Sequence, residues 1–413
     1  MRNDTKRKIL ITISITSLLY IIFSGLISWI FYRNIENGIY TWDDASAYVG
    51  TAEYMIKNKT YLLPGEYKFH PPTLPIFISF FMKTGLDVYS AVRFFFSLLI
   101  AGLGVGYYFL VPFNDFKKYP LLIFFPLVFA VYYPSVLIGL NVWSELFFTF
   151  VMLCLMILLM RFERFTNEKS IISCAFAVIF LSTIGLLIRY MGAFLWILIN
   201  GLFASKKMRR DIKIWILLFF NLIFIGVCVY LKLSGFSSYT KIGVNIGALE
   251  NVFRYLIPTI VRDNFIPFVS LPGKTGFISK LWQILSSEKA LPLLFLYIFL
   301  FVVGFWSILK SFKEIKQYLK CQHSAFLKVM SGYLLSFFGF FMLTILFAPV
   351  WIETRMFYPF YVFSLMVIFY QVIVLSYQPS LKRSTALMLR IAAFGIFPAV
   401  HITKLVSLYS VLF

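Results

Sequence analysis

The chain has 413 residues, of which 61% are hydrophobic and only 13% are charged, and its mean hydropathy is +0.86. A soluble domain is nearer half apolar and a quarter charged, so the composition excludes an ordinary soluble protein and predicts a polytopic membrane protein. The net charge of +21 does not indicate a nucleic-acid partner, because the basic residues form short clusters between apolar runs. None of the four cysteines has the spacing of a zinc site or a disulfide framework.

The first predicted element is an apolar helix over residues 9–31, which follows a short basic N-terminus. Its apolar run is too long for a signal peptide and lacks a small-residue cleavage site, so we expect an uncleaved span. In the polar loop 32–70, apolar residues recur every three to four positions, which predicts a helix lying on the membrane surface. Asp43 or Asp44 would cap or open that helix. The apolar segment 71–82 is only about 12 residues long and is expected to be interfacial or re-entrant.

Longer apolar runs follow, and each is close to the ~20 residues that a bilayer core requires. Further spans are expected at residues 89–111, 119–140, 142–160, 170–188, 190–204, 212–231, 290–309, 326–350, 356–377 and 386–410. The predicted fold class is therefore an all-α polytopic membrane protein with about eleven transmembrane helices and with interfacial helices in the first outer loop.

Basic residues set the predicted orientation of these spans. With a cytoplasmic N-terminus and a non-spanning segment 71–82, the cytoplasmic segments hold 21 Lys and Arg residues in 60, and the outer segments hold 15 in roughly 132. This difference follows the positive-inside rule, and it inverts if 71–82 crosses the membrane. We therefore predict a multi-pass protein of a bacterial inner or plasma membrane.

Uncommon polar side chains collect at the predicted outer face. They are Asp43, Asp44, Glu66 and His70 in the first outer loop, and Glu145, Arg189, Tyr190, Glu353 and Arg355 at span ends. Ionisable residues gathered between membrane helices mark a functional site. Arginines can hold a phosphate, and carboxylates can act as a general base or bind a divalent cation, so a lipid-linked phosphate is the expected ligand. The structural alternatives are acids that only cap helices and arginines that only snorkel.

A family resemblance rests on six motifs that follow the first span. They are W-D-D-A-S-A-Y-V-G-T-A at 42–52, H-P-P-T-L-P at 70–75, V-Y-S-A-V-R-F at 88–94, W-S-E-L-F-F at 143–148, L-L-I-R-Y-M-G at 186–192 and E-T-R-M-F-Y-P-F at 353–360. With this order the chain resembles the GT-C superfamily of integral membrane glycosyltransferases. Within it the chain is similar to the group that contains aminoarabinose transferase, protein O-mannosyltransferases and the RgtA/B/C/D-like sugar transferases.

The resemblance implies two modules and a donor. An N-terminal transmembrane module, 1–231, would carry a catalytic first outer loop, 32–88. A variable C-terminal module, 232–413, would include the outer loop 232–289, which covers the site and selects the acceptor. The implied donor is a sugar on polyprenyl phosphate.

The resemblance also implies roles for individual residues. The family's catalytic Asp stands four residues before a Tyr, which favours Asp44 with Tyr48, and Asp43 stays open. Arg355 matches the arginine of an R-Y-x-x-P motif that contacts donor phosphate, with one extra residue before Tyr358. The remaining expected site residues are Arg189 as a second phosphate ligand and His70 and Glu145 as supporting residues. Phe69-His70 stands where aminoarabinose transferase has a second acid, so a divalent metal cation stays an open cofactor.

The expected function is transfer of the sugar to a glycan, lipid or protein acceptor of the cell envelope, with inversion at the anomeric carbon. Two other functions stay open. A polysaccharide polymerase or ligase also has outer arginines, but it does not call for the W-D-D motif. A lipid-linked-sugar transporter or flippase favours charges near the bilayer midplane and broken helices.

Overall fold

The computed structural model describes most of the chain, and the described part contains helices and no strands. The described residues are 2–32, 44–60, 72–189, 192, 194–205, 209–233, 358–379 and 381–412, with the single positions 326, 330, 333, 334 and 337. Within them, eight helical segments are long and apolar enough to cross a membrane. The architecture is that of an all-α polytopic membrane protein, as the composition predicts.

The first four helices form a long pair joined by two short elements: α1 Arg2–Tyr32, α2 Asp44–Lys57, α3 Thr73–Met82 and α4 Val88–Leu110. α1 and α4 are antiparallel, because Arg93 Nε donates to the Tyr32 carbonyl at 3.0 Å and the Tyr20 hydroxyl bonds the Ile100 carbonyl. The chain between α1 and α4 therefore leaves and returns at the same end of the bundle. With ten residues, α3 is about 15 Å long, half of a hydrocarbon core, which agrees with a non-spanning segment.

The helix predicted in the first loop is confirmed as α2. Its buried face consists of the apolar residues Ala45, Tyr48, Val49, Ala52 and Met55. These positions recur every three to four residues, so they form one stripe along the helix. α2 packs against α3 and α4 through this stripe rather than lying detached from the bundle.

The middle of the chain contains a span broken by proline and then two long helices. In order these are α5 Phe113–Lys118, a 3₁₀ turn Pro120–Phe124, α6 Phe125–Ala130, α7 Tyr133–Leu140, α8 Glu145–Arg164 and α9 Glu168–Ile188. A proline occupies the first or second position of the 3₁₀ turn, of α6 and of α7. Proline has no N–H group to donate, so it is tolerated in the first turn of a helix and interrupts the helix before it. The prolines therefore divide this span into three short helical pieces. The three pieces together make the 21-residue apolar segment 120–140.

The remaining described helices are α10 Phe194–Ser205, α11 Arg210–Leu233, α12 Tyr358–Ser376, α13 Arg383–Ile391, a π-helical turn Ala392–Ile396 and α14 Phe397–Leu412. At 12 residues α10 is about 18 Å long, shorter than the span expected at 190–204. The span expected at 290–309 lies outside the described residues, and the one at 326–350 includes only five described positions. Eight of the expected spans are present in the described part, and the total of about eleven stays a prediction.

Three glycines let α4 approach its neighbours closely. An added Cβ at Gly102 or Gly106 would overlap Phe150 or Leu153 of α8, and one at Gly104 would overlap Tyr20 of α1. Small residues four apart allow such close packing between membrane helices. α4 is thus the element against which both α1 and α8 are positioned.

Side-chain contacts sort the helix ends into two groups. At one end, which we call the Tyr32 end, Tyr32 packs on Gly139, and Phe31 meets Tyr409 with ring centroids 6.4 Å apart. At the other, the Tyr119 end, the Tyr119 and Tyr377 rings lie 5.7 Å apart. There the Tyr370 hydroxyl also donates to Asp115 at 2.8 Å, and burial raises the pKa of that carboxyl. The Tyr32 end is the one that the distribution of basic residues predicts to be the outer face.

Candidate functional site

The structure brings three of the predicted site residues together at the Tyr32 end: Tyr48, Glu145 and Arg189. Tyr358 lies at the same end in a separate contact. The backbone of Asp44 is described as the first residue of α2. The residues of the predicted site that lie outside the described residues are Asp43, Glu66, His70, Tyr190, Glu353 and Arg355.

Glu145 and Arg189 form a largely buried ion pair. Arg189 Nη1 lies 2.5 Å from Glu145 Oε1, and the two side chains are 15% and 1% exposed. Glu145 is the first residue of α8 and Arg189 is the C-cap of α9. The helices are consecutive and packed against each other, so the start of one lies beside the end of the next. A carboxylate also suits the N-terminal turn of α8, where the partial charge of the helix dipole is positive.

Ser144 connects this pair to the first loop. Its hydroxyl oxygen accepts a hydrogen bond from Arg189 Nη1 at 3.0 Å and one from the Tyr48 hydroxyl at 3.2 Å. All three side chains come from different segments, so the network ties α2 to the α8–α9 hairpin. The sequence indicated Glu145 and Arg189 as uncommon charges, but Ser144 carried no signal other than its place beside Glu145.

The turn before this site holds a strained residue. Val142 has a φ of +51° and is fully buried. It stands where a helix C-terminus usually has glycine: its N–H bonds the Gly139 carbonyl at 3.1 Å, and the Trp143 N–H bonds the Ile138 carbonyl at 3.2 Å. A β-branched residue in this conformation costs of order 1–3 kcal/mol, so the surrounding packing holds it. Val142 thus ends α7 directly before Ser144 and Glu145, where α8 begins.

α3 closes one side of the same region. The Thr73 hydroxyl donates to the Leu187 carbonyl at 2.9 Å, two residues before Arg189. Phe77 packs against Phe95 of α4 and Phe147 of α8, with ring centroids 5.6 and 4.8 Å apart. α3, which begins at Thr73, is therefore anchored on the last turn of α9, just before Arg189.

Tyr358 belongs to a second buried contact at the Tyr32 end. Its hydroxyl lies 2.6 Å from the Ser135 hydroxyl, and either group can be the donor. Tyr358 is the first residue of α12 and Ser135 lies in the first turn of α7. This contact fixes where the chain enters α12, three residues after Arg355.

In the described cluster, Glu145 and Ser144 hold the guanidinium of Arg189 in one orientation. Both of its contacts within the described residues use Nη1 of Arg189. The guanidinium also carries Nη2 and Nε, which are donors suited to a phosphate. Among the described residues, no group of three or more His, Cys, Asp or Glu side chains is arranged to hold a metal ion.

Comparison with known proteins gives no relative from which a role can be transferred. No protein-family model, curated protein or solved structure matches the chain.

Proposed function

We propose that the chain is a membrane glycosyltransferase that transfers a sugar from a polyprenyl-phosphate donor to an envelope acceptor at the outer face of the membrane. The observation that carries the proposal is the network of Tyr48, Ser144, Glu145 and Arg189. It unites a helix that begins at Asp44 with a partly buried arginine, at the end of the bundle predicted to face outward. The proposal rests also on the six motifs and on the resemblance that they carry.

Each residue of the network has a role in this proposal. Glu145 neutralises Arg189 and holds its guanidinium in one orientation, which lets Nη2 and Nε contact the donor phosphate. Contacts of this type stabilise the negative charge that develops on the leaving phosphate. Tyr48, through Ser144, fixes α2 relative to that arginine. Arg355 is the second proposed phosphate ligand.

The proposed general base is Asp44 or Asp43. Asp44 begins α2 one helical turn before Tyr48, which is a rise of about 6 Å. The base removes the proton of the acceptor hydroxyl, and the acceptor oxygen attacks the anomeric carbon. The bond between that carbon and the phosphate oxygen breaks, and polyprenyl phosphate is the leaving group. This single displacement inverts the anomeric configuration. A divalent cation beside the phosphate is an open part of the proposal.

The experiment is sugar transfer by the purified full chain in vesicles, with a labelled polyprenyl-phosphate sugar added from outside. Arg189→Gln should raise the KM for the donor at least about tenfold, because a charge-assisted contact to phosphate is lost. The matched control is Arg93→Gln at the same end, where Nε bonds the Tyr32 carbonyl. Its KM should not change. Absence of any labelled product with a panel of hexose and pentose donors would contradict the proposal.

A second candidate function, a lipid-linked-sugar transporter or flippase, is favoured by a different observation. His401 and Lys404 of α14 are buried, and they contact Tyr132 and Tyr133 near the middle of the proline-broken segment 120–140. Ionisable residues inside a span beside an interrupted helix are typical of transport pathways. Movement of labelled lipid between leaflets without sugar transfer, lost in His401→Phe, would favour this function.

A further inference from the structure

Thr73, the first residue of α3, uses its hydroxyl for a long-range contact. The residue is buried, and its hydroxyl donates to the Leu187 carbonyl at 2.9 Å, across 114 positions of the chain. The N-cap of α3 is Pro72, which makes no side-chain hydrogen bond. The Thr73 hydroxyl thus joins α3 to the end of α9.

The Leu187 carbonyl belongs to the last turn of α9, which ends at Ile188. The last carbonyl groups of a helix have no partner within the helix, so another group must satisfy them. Arg189 follows as the C-cap, and its N–H bonds the Gly185 carbonyl. Thr73 therefore holds the backbone two residues before the arginine that carries the proposed phosphate contacts.

Close packing holds this turn from two other sides. The Gly192 N–H bonds the Arg189 carbonyl at 2.8 Å, and a Cβ on Gly192 would lie 2.7 Å from the Leu186 nitrogen. The chain after Arg189 therefore folds back onto the last turn of α9. A Cβ on Gly185 would lie 2.7 Å from a methionine side chain of α8. The hydrogen bond from Thr73 adds a link from α3 to a turn that is already tightly packed.

The two helices of the first loop contact the two ends of the α8–α9 hairpin that carry its ion pair. From α2, the Tyr48 hydroxyl bonds Ser144, directly before α8. From α3, the Thr73 hydroxyl bonds Leu187, near the end of α9. α2 and α3 also pack against each other, so the two hydrogen bonds hold a pair of packed helices against the hairpin.

We propose that Thr73 is a positioning residue for the donor phosphate. Its hydrogen bond fixes the last turn of α9 relative to the first loop, and with it the position of the Arg189 guanidinium. This inference rests on the proposed function, in which Nη2 and Nε of Arg189 contact the phosphate. Such paired contacts depend on geometry as well as on charge. Loss of the Thr73 hydrogen bond should therefore weaken donor binding although both charges of the hairpin remain.

The test measures sugar transfer in vesicles by the purified full chain with Thr73→Val or Thr73→Ser. Valine keeps the shape of threonine without the hydroxyl, and serine keeps the hydroxyl. Thr73→Val should raise the KM for the donor about three- to tenfold, and Thr73→Ser should stay within about twofold of the unaltered chain. A purely structural role would lower the amount of folded enzyme and leave the KM unchanged.

Two further variants sharpen this measurement. Thr84→Val is the matched control, because that hydroxyl makes a local contact at the other end of α3, to the Phe81 carbonyl at 2.7 Å. Its KM should equal that of the unaltered chain. In the Arg189→Gln background, Thr73→Val should not raise the KM further, because the residue that it positions is already lost.

A second readout does not require transfer. Phenylglyoxal modifies arginine side chains, and mass spectrometry of the fragment that contains Arg189 gives the rate at this residue, which is 15% exposed. Thr73→Val should raise that rate at least about threefold, and Thr84→Val should not. If the unaltered chain transfers no sugar, the proposed function fails, whereas a raised modification rate still supports the link between Thr73 and Arg189. An unchanged modification rate in Thr73→Val, or an unchanged donor KM in an active chain, would overturn the inference.

Discussion

The guanidinium of Arg189 meets the carboxylate of Glu145 across the α8–α9 hairpin, with 2.5 Å between Nη1 and Oε1. The pair is largely buried, and an isolated charge is costly in a buried position. Each residue therefore compensates the charge of the other. Ser144 accepts from the same Nη1 atom and from Tyr48, which brings the first loop to the pair. A proposed phosphate ligand and the helix that begins at Asp44 are thereby held in one arrangement.

Breaking the ion pair from one side should be strongly destabilising. Arg189→Leu leaves the buried Glu145 carboxylate without its cation, and we expect a loss of about 3–5 kcal/mol in the free energy of unfolding. Adding Glu145→Leu to Arg189→Leu should recover much of that loss, because the orphaned charge is then removed as well. Unfolding in detergent of the two single variants and the double variant measures the coupling. Strictly additive losses would contradict the pairing.

The hydrogen bond from Tyr48 should contribute a smaller, separable amount. Tyr48→Phe removes only the hydroxyl, and we expect a loss of about 0.5–1.5 kcal/mol. Ser144→Ala removes the acceptor shared by Tyr48 and Arg189, so it should cost more than Tyr48→Phe. In the Ser144→Ala background, Tyr48→Phe should have little further effect. Thermal unfolding of the four proteins checks this, and an undiminished Tyr48→Phe effect in that background would show that the hydroxyl acts elsewhere.

The sequence predicted much of this end of the molecule because the signals are local. Glu145 follows a polar stretch and precedes an apolar run, so a helix start there could be read directly. The apolar stripe from Ala45 to Met55 gave α2 for the same reason. The common placement of Glu145 and Arg189 followed from span counting and charge density.

The features that the sequence did not predict depend on tertiary contacts, or they conflict with the local conformational preference of a residue. Val142 is a β-branched residue in a left-handed conformation, so its identity argues against the turn that it occupies. Ser144 is an ordinary residue whose two donors, Tyr48 and Arg189, come from distant segments. α10 begins only at Phe194, whereas its apolar run starts at 190, and the Gly192 N–H bonds the Arg189 carbonyl at 2.8 Å before the helix begins.

A left-handed lysine at the end of α2 offers a test of backbone strain. Lys59 has a φ of +51°, and the Thr60 N–H bonds the Met55 carbonyl at 3.2 Å, as in a glycine-capped helix end. Lys59→Gly should stabilise the protein by about 1 kcal/mol, because glycine adopts this conformation without a Cβ penalty. Lys57→Gly changes the same residue type at the last position of α2, where the backbone is helical, and it should destabilise by a smaller amount, because glycine lowers helix stability. Chemical unfolding of both variants checks the opposite signs, and a loss in Lys59→Gly would show that strain is absent.

Asp87 should make stability depend on pH at the start of α4. Hydrogen bonds from Ser90 hold the pKa of the Asp87 carboxyl below its ordinary value, and Oδ1 caps the helix by accepting from Tyr89 and Ser90 N–H groups. A lowered folded-state pKa means that this stabilisation is present above the unfolded-state pKa of about 4 and is lost on further acidification. Asp87→Asn still caps but does not ionise, so its Tm should fall less than the wild-type Tm below that pH. Parallel loss of Tm in both proteins would contradict this assignment.

A catalytic acid in the first loop, at the end of the bundle where Arg189 is held, is the central requirement of the proposed transfer reaction. The most direct measurement is sugar transfer in vesicles by the double variant Asp43→Asn with Asp44→Asn, using the labelled donor that the unaltered chain accepts. Asp87→Asn is the matched control, since it makes the same chemical change in the same predicted outer segment. We predict that the double variant inserts normally and loses transfer by at least about 100-fold, while the control keeps it. Full transfer by the double variant would contradict the account.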